Sequence, residues 1–145
     1  MVVIVITLTG CANLQSTSTQ LSVAFKIGES IPSKELTERT VLGSEQKVYL
    51  HNEAVLTNAH IASAKVTKSV VADRPGILIV FTKEGRATFA KVTRENINKP
   101  LAIIVGNELI CAPIIRSEIT GGEASITGSF TEEEANRIAK KIMGK

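Results

Sequence analysis

Tryptophan is absent from this 145-residue chain, and one Tyr with four Phe bring the aromatic share to 3%. Without large rings the core has to be filled by Ile, Val, Leu and Ala, and a hydrophobic share of 43% is enough for one globular fold. Charge of one sign is not concentrated anywhere. The 17 basic and 14 acidic residues, net +3, are scattered, without the basic clusters and interleaved aromatics of nucleic-acid binders, so nucleic acid is not an expected partner. Histidine and aspartate are scarcer still. His51 and His60 are the only histidines and Asp73 the only aspartate, so a Ser/His/Asp triad would require every scarce residue to converge. Paired carboxylates, metal-ligand spacing and nucleotide loops are missing as well: Gly121-Gly122 leads into a strand, and no Gly-Lys-Ser/Thr follows it. The chain is therefore expected to be no enzyme and to need neither cofactor nor metal.

The apolar run at residues 2–8 is far shorter than the ~20 residues of a membrane-spanning helix. It has the size of a short signal-peptide core, and Leu8-Thr9-Gly10-Cys11 and a polar stretch follow it. Small residues before the cysteine suit an extended path into a peptidase, and the thiol can carry a diacylglyceryl group. This order resembles the bacterial lipobox, with residues 1–10 as signal peptide and Cys11 as the lipid-bearing mature N-terminus. One feature departs from it: no Lys or Arg precedes the run. The competing reading makes residues 2–8 a buried strand and Cys11 an ordinary core thiol. Residues 11–20, rich in Ser, Thr, Gln and Asn, have the composition of a flexible tether, and the folded domain is expected over 21–145. Ala12, rather than an aspartate, after Cys11 resembles an outer-membrane sorting pattern. The expected location is thus the bacterial cell envelope, lipid-anchored and facing the periplasm, at the outer membrane more than the inner. Cys111 lies in the apolar run 109–115, where a free thiol behaves as a small buried hydrophobe, and no disulfide is expected.

Along the folded part, residues 22–27 read as a strand with Val23, Phe25 and Ile27 on one face. Residues 29–46 read as mostly irregular, with Ser33 able to open a short helix. A strand at 47–50 follows, then a two-turn helix over 58–64 opened by Thr57. Residues 66–72 and 77–81 read as a strand pair joined through the turn signal Pro75-Gly76. Thr82 caps a helix over 83–95 whose Phe89 and Val92 can face the core together. Residues 101–105 and 109–115 form a β-hairpin through Gly106-Asn107-Glu108, with Pro113 at an edge or bulge. After the Gly121-Gly122 turn comes a last strand at 124–127. The final helix is the best specified: Thr131 and Glu134 make a capping box, and Phe130 is placed to staple Ala135. Its acids Glu132, Glu133 and Glu134 fill the first turn and Lys140 and Lys141 the last, complementing the helix dipole. The fold class is α+β, a largely antiparallel sheet with two or three helices on one face.

An ordered series of residues carries a family resemblance. It comprises Ile77-Leu78-Ile79-Val80-Phe81-Thr82 with Glu84-Gly85 and Phe89, then Leu101-Ala102-Ile103-Ile104-Val105 and Cys111-Ala112-Pro113-Ile114-Ile115. It continues through Ile119-Thr120-Gly121-Gly122-Glu123-Ala124 and Ile126-Thr127-Gly128-Ser129-Phe130-Thr131 to Glu133-Glu134-Ala135. Residues 77–145 resemble the periplasmic head subdomain of SecD, the accessory subunit of the bacterial protein-export translocase, and weaker similarity extends upstream through Lys47-Val48-Tyr49-Leu50. The family usually has an aspartate near Gly106 and commonly a serine where Cys111 stands. The resemblance implies the fold and an affinity for unfolded polypeptide. The membrane-spanning helices that perform SecD's proton-coupled step have no counterpart here, so motor activity does not carry over.

The expected function is a noncatalytic envelope lipoprotein with a SecD head-like domain that binds polypeptide or a partner protein, by strand addition at a sheet edge, in export or envelope protein handling. The alternative is a structural lipoprotein docking on one envelope partner. A small hydrolase using His51 and His60 is the third reading.

Overall fold

The computed structural model describes residues 23–68 and 73–144. The signal peptide expected at 1–10, Cys11, and the tether at 11–20 lie outside the described residues. In chain order the elements are β1 (Val23–Glu29), β2 (Thr37–Thr40), β3 (Lys47–Thr57), a 3-10 turn (Asn58–His60), β4 (Ile61–Lys68) and β5 (Pro75–Phe81). Helix α1 (Lys83–Glu95), β6 (Leu101–Val105), β7 (Glu108–Cys111), β8 (Glu123–Thr127) and α2 (Glu132–Ile142) complete them. The expected antiparallel α+β class is present, and its strands are divided between two sheets ordered β2-β3-β1-β6-β7 and β4-β5-β8.

At its centre, β1 and β6, both faces of the larger sheet are buried, which explains the unbroken apolar sequence of β6. Val23, Phe25 and Ile27 of β1, with Leu101, Ile103 and Val105 of β6, face the main core; there they meet Ile77 and Ile79 of β5, Phe89 of α1 and Ile138 of α2. The alternate residues Ala24, Ala102 and Ile104 join Val48, Leu50 and Leu109 in a second, smaller core. The sheet curls to enclose that second core. Leu42 N–H, just after β2, donates to Leu109 O of β7 at 2.8 Å, and the Arg39 guanidinium reaches Asn107 O in the β6–β7 turn. Gly28 is inside the curl, where a Cβ would come within 2.6 Å of Val48 Cγ1.

Phe25, Phe81 and Phe89 form an edge-to-face and tilted cluster in the main core, with centroids 4.6 to 6.4 Å apart. Both helices start as their caps predict. Thr82 Oγ1 accepts from Gly85 N–H at 3.0 Å, while Thr131 Oγ1 and the Glu134 carboxylate each accept from the other residue's backbone amide, at 3.2 and 2.7 Å. Phe130 and Ala135 are buried in the same core, as a staple requires.

Several expected elements differ. The helix expected over 58–64 is one 3-10 turn followed by β4, although Thr57 does cap it, with His60 Nδ1 accepting from Thr57 N–H at 3.1 Å. Seven residues cannot nucleate a helix alone, and the β-branched Ile61, Val66 and Thr67 pair with β5 instead. Pro75-Gly76 opens β5 opposite Lys68 and Thr67 rather than forming the turn. Strand β3 runs on to Thr57, bulging between its Leu50 and Ala54 pairings with β1. Strand β2 lies inside the segment expected to be irregular; Ser33 opens only a turn, closed by Leu36 N–H on Ser33 O. Regular pairing in β7 stops at Cys111, and Pro113 follows the strand with its carbonyl accepting from Leu101 N–H at 2.8 Å.

Candidate functional site

Strand β8 is one of the two outer strands of the smaller sheet, β4 being the other. Phe81 N–H donates to Gly122 O at 2.9 Å, one step beyond the Val80↔Glu123 pair. Antiparallel partners alternate between bonded and non-bonded pairs, so Ala124 and Ile126 turn their backbone groups toward β5, while Glu123, Ser125 and Thr127 turn theirs to the free edge. Among the described residues no hydrogen bond occupies those outward groups. Edge strand β7 of the larger sheet is different: Leu42 already occupies its Leu109 carbonyl.

A groove runs along the β8 edge. Two hollows of about 270 and 340 Å3 lie beside it and share Pro113 and Ser125 in their linings. The smaller mixes polar and apolar residues and has no charged one, with Ser44, Gln46, Thr127 and Ser129 beside Val41, Ile110 and Cys111. The larger opens onto the main core: Phe25, Leu101, Ile103 and Ile115 form its floor and Ile114 and Ile119 its wall. Arg116 and Glu123 are the charged residues at its rim. It lies at the lower end of the ~300–1,000 Å3 of ligand sites.

The wall at residues 117–122 has no regular secondary structure and is fixed from behind by α1. Thr93, fully buried, donates to Phe89 O at 2.8 Å and accepts from Ile119 N–H at 2.9 Å. Arg86 Nε donates to Thr120 O at 2.8 Å, and Arg94 pairs with Glu118 at 3.3 Å. Gly122, at φ +75, lets the chain turn from this wall into β8 beside the Arg86 side chain.

The residues singled out for chemistry are not gathered here. His51 Nε2 lies 3.1 Å from Glu29 Oε1, which also accepts from Lys99 Nζ at 2.9 Å, whereas His60 caps its own turn. The hydrogen bond from Lys99, then that from His51, lowers the Glu29 carboxyl below its ordinary range. Asp73 is in the β4–β5 connection, at φ +48. Glu132, Glu133 and Glu134 occupy the first turn of α2, and Lys140 and Lys141 its last. Cys111 is a free thiol in the groove wall, pushed up to about 12 by burial, so it stays protonated and unreactive at neutral pH. Cys11 lies outside the described residues. Among the described residues no three His, Cys, Asp or Glu side chains converge to hold a metal ion, and no helix is long and apolar enough to cross a membrane.

The groove was missed in sequence because its residues come from five separated segments. The alternation Glu123-Ala124-Ser125-Ile126-Thr127 marks a half-buried strand, and nothing in it says which side is left unpaired.

A curled antiparallel sheet, a smaller sheet with a free edge, and two helices filling the space between them define a class of α+β head module. The chain belongs to the family described as SecDF, P1 head subdomain, which matches residues 33–144. Protein translocase subunit SecD of Calditerrivibrio nitroreducens is 42% identical over 90 residues, 62% of this chain and 17% of that protein. Protein translocase subunit SecDF of Thermus thermophilus is 44% identical over 85 residues, 59% of this chain and 11% of its own length. The crystal structure of SecDF in a super-membrane-facing form superposes with a TM-score of 0.68 at 30% identity, covering 85% of this chain and 18% of that one. A structure of SecDF as a membrane component that enhances protein export gives 0.66 at 29% identity, over 85% of this chain and 62% of that one. The chain thus spans less than a fifth of the length of the SecD and SecDF proteins of Calditerrivibrio nitroreducens and Thermus thermophilus that it matches.

Proposed function

We propose that this chain is a noncatalytic envelope module linked to protein export, which receives an extended polypeptide segment as an added strand on β8. The observation that carries the proposal is the free β8 edge, with Glu123, Ser125 and Thr127 presenting unpaired backbone groups beside an opening to the apolar core. Membership of the SecDF head family supports it, since a relative of this fold is described as enhancing protein export. The proposal is for capture by this head module. A photo-crosslinking side chain at Ser125 is expected to trap unfolded envelope proteins as a broad smear, while one at Glu38 on β2 traps few. A single discrete band from Ser125 would replace this proposal with docking on one envelope partner, and no adduct would remove it.

We further propose that residues 1–10 are a signal peptide, that Cys11 carries the lipid, that 11–20 form the tether, and that the domain faces the periplasm. The support is the Leu8-Thr9-Gly10-Cys11 sequence and the polar stretch after it. Cells fed a fatty-acid analogue are expected to label the wild type and not Cys11→Ser, with membrane association lost in the variant. An unlabelled, soluble wild type would refute the lipid tether.

A further inference from the structure

Resting on the strand-addition proposal, the register of β8 specifies which extended segments fit. Residues directly opposite one another in a sheet point their side chains to the same face. Ala124 and Ile126 point toward the core, so the two residues paired with them on an added strand point inward as well, toward the hollow floored by Phe25 and Ile103. Glu123, Ser125 and Thr127 are exposed on the outer face, so their partners point to solvent. An added strand also advances by ~3.3 Å per residue, so five residues cover the edge.

Charge sets the register. Glu123 has no ion-pair or hydrogen-bond partner among the described residues, and it is the one charged residue of the five on this edge. Opposite charges facing each other across a strand pair attract, and like charges repel. Arg116, the other charge at the rim, is on the far wall and not on the pairing strand, so it has no fixed register with the bound segment.

We infer that the groove selects segments of strict two-residue alternation, apolar residues inward and polar residues outward, with a basic side chain opposite Glu123. The ligand class is an amphipathic β-strand segment in its unfolded state, such as a chain destined for an antiparallel sheet with one wet face. Helix-forming amphipathic segments, whose apolar residues recur every three or four positions, place one inward residue correctly and not the next.

The test is fluorescence anisotropy on the full chain with labelled peptides of one composition. One peptide contains Thr-Val-Thr-Val-Lys and a second Thr-Thr-Val-Val-Lys, so that antiparallel pairing, the mode of every strand pair in this fold, sets the Lys opposite Glu123. A third replaces the Lys of the first with Glu. The alternating peptide is expected to bind at least about tenfold tighter than the rearranged one, because the latter puts an apolar side chain in water and a threonine over the hollow. The Glu peptide is expected to bind about threefold more weakly than the Lys peptide, with the order reversed by Glu123→Lys and unchanged in direction by Arg116→Ala. Equal binding of the alternating and rearranged peptides overturns this inference and leaves strand addition standing. A Lys preference that survives Glu123→Lys overturns the register. Binding by none of the three overturns strand addition itself.

Discussion

Replacing Gly85 with alanine sets a favourable local effect against an unfavourable tertiary one, and the structure fixes which prevails. Gly85 is the third residue of α1, and alanine is favoured over glycine there by up to ~1 kcal/mol. A Cβ at this position, however, would stand 2.3 Å from His60 O and 3.0 Å from His60 Cβ. The obstacle is backbone, in the turn between β3 and β4, so no rotamer change relieves it. Overpacking of this kind costs ~1–3 kcal/mol. His60 O also accepts the Thr82 N–H bond at 2.9 Å, so pushing the turn away weakens a contact worth ~1 kcal/mol. The expected net loss for Gly85→Ala is about 2 kcal/mol, or roughly 8 °C in Tm for a domain of this size. Because the chain has no Trp, far-UV circular dichroism during urea and thermal unfolding is the appropriate assay. Gly121→Ala is the control: nothing lies within 4 Å of its Cβ position, and its stability should stay within about 0.5 kcal/mol of wild type. A Gly85→Ala variant as stable as wild type, with Gly121→Ala unchanged, would refute the claim that α1 rests directly on the turn.

Thr93→Val removes the acceptor for Ile119 N–H and should cost about 1–2 kcal/mol while weakening peptide capture at the groove; Thr93→Ser should restore both, which urea titration and anisotropy would show. The Glu29 carboxyl is lowered by its bonds to Lys99 and His51, so its contribution to stability is present above its ordinary value of 4.5 and is lost as pH falls through the lowered value. Glu29→Gln should therefore flatten the acid limb of a stability-against-pH curve, and an unchanged limb would show that the cluster is energetically idle. Cys111, pushed up to about 12 by burial, should react slowly with iodoacetamide at pH 8 and rapidly only in denaturant; fast labelling of the native chain by mass spectrometry would contradict its burial.

Where local chemistry decides the structure, the sequence was legible. Thr82 and Thr131 cap the helices they were expected to cap, and Gly106-Asn107 turns the β6–β7 hairpin with Gly106 at φ +62. Where pairing partners decide, it was not. Strand β2, Thr37-Glu38-Arg39-Thr40, has no apolar alternation and exists because β3 supplies a ladder for it. The cap at Thr57 was correctly seen, and the helix expected after it gives way to a strand because β5 competes for Ile61 to Lys68. The division into two sheets and the free edge of β8 depend on contacts among residues far apart in sequence, which periodicity does not record. The role proposed for Cys11 rests on a different kind of signal, one read by processing enzymes, which carries no information about packing.

The strand at the centre of the larger sheet is also the first of the described strands to be made. β1 pairs on one side with β3 and on the other with β6, where Ala24 meets Ile104. A chain delivered N-terminus first through a membrane must keep this strand half-matched until β6, more than seventy residues later, has followed it. Such order-dependent closure delays folding, because distant pairings must wait for the intervening loop to arrive. On the proposed periplasmic location, the module during its own passage is an extended, edge-exposed polypeptide, in need of the kind of shelter that its finished groove is proposed to give to others.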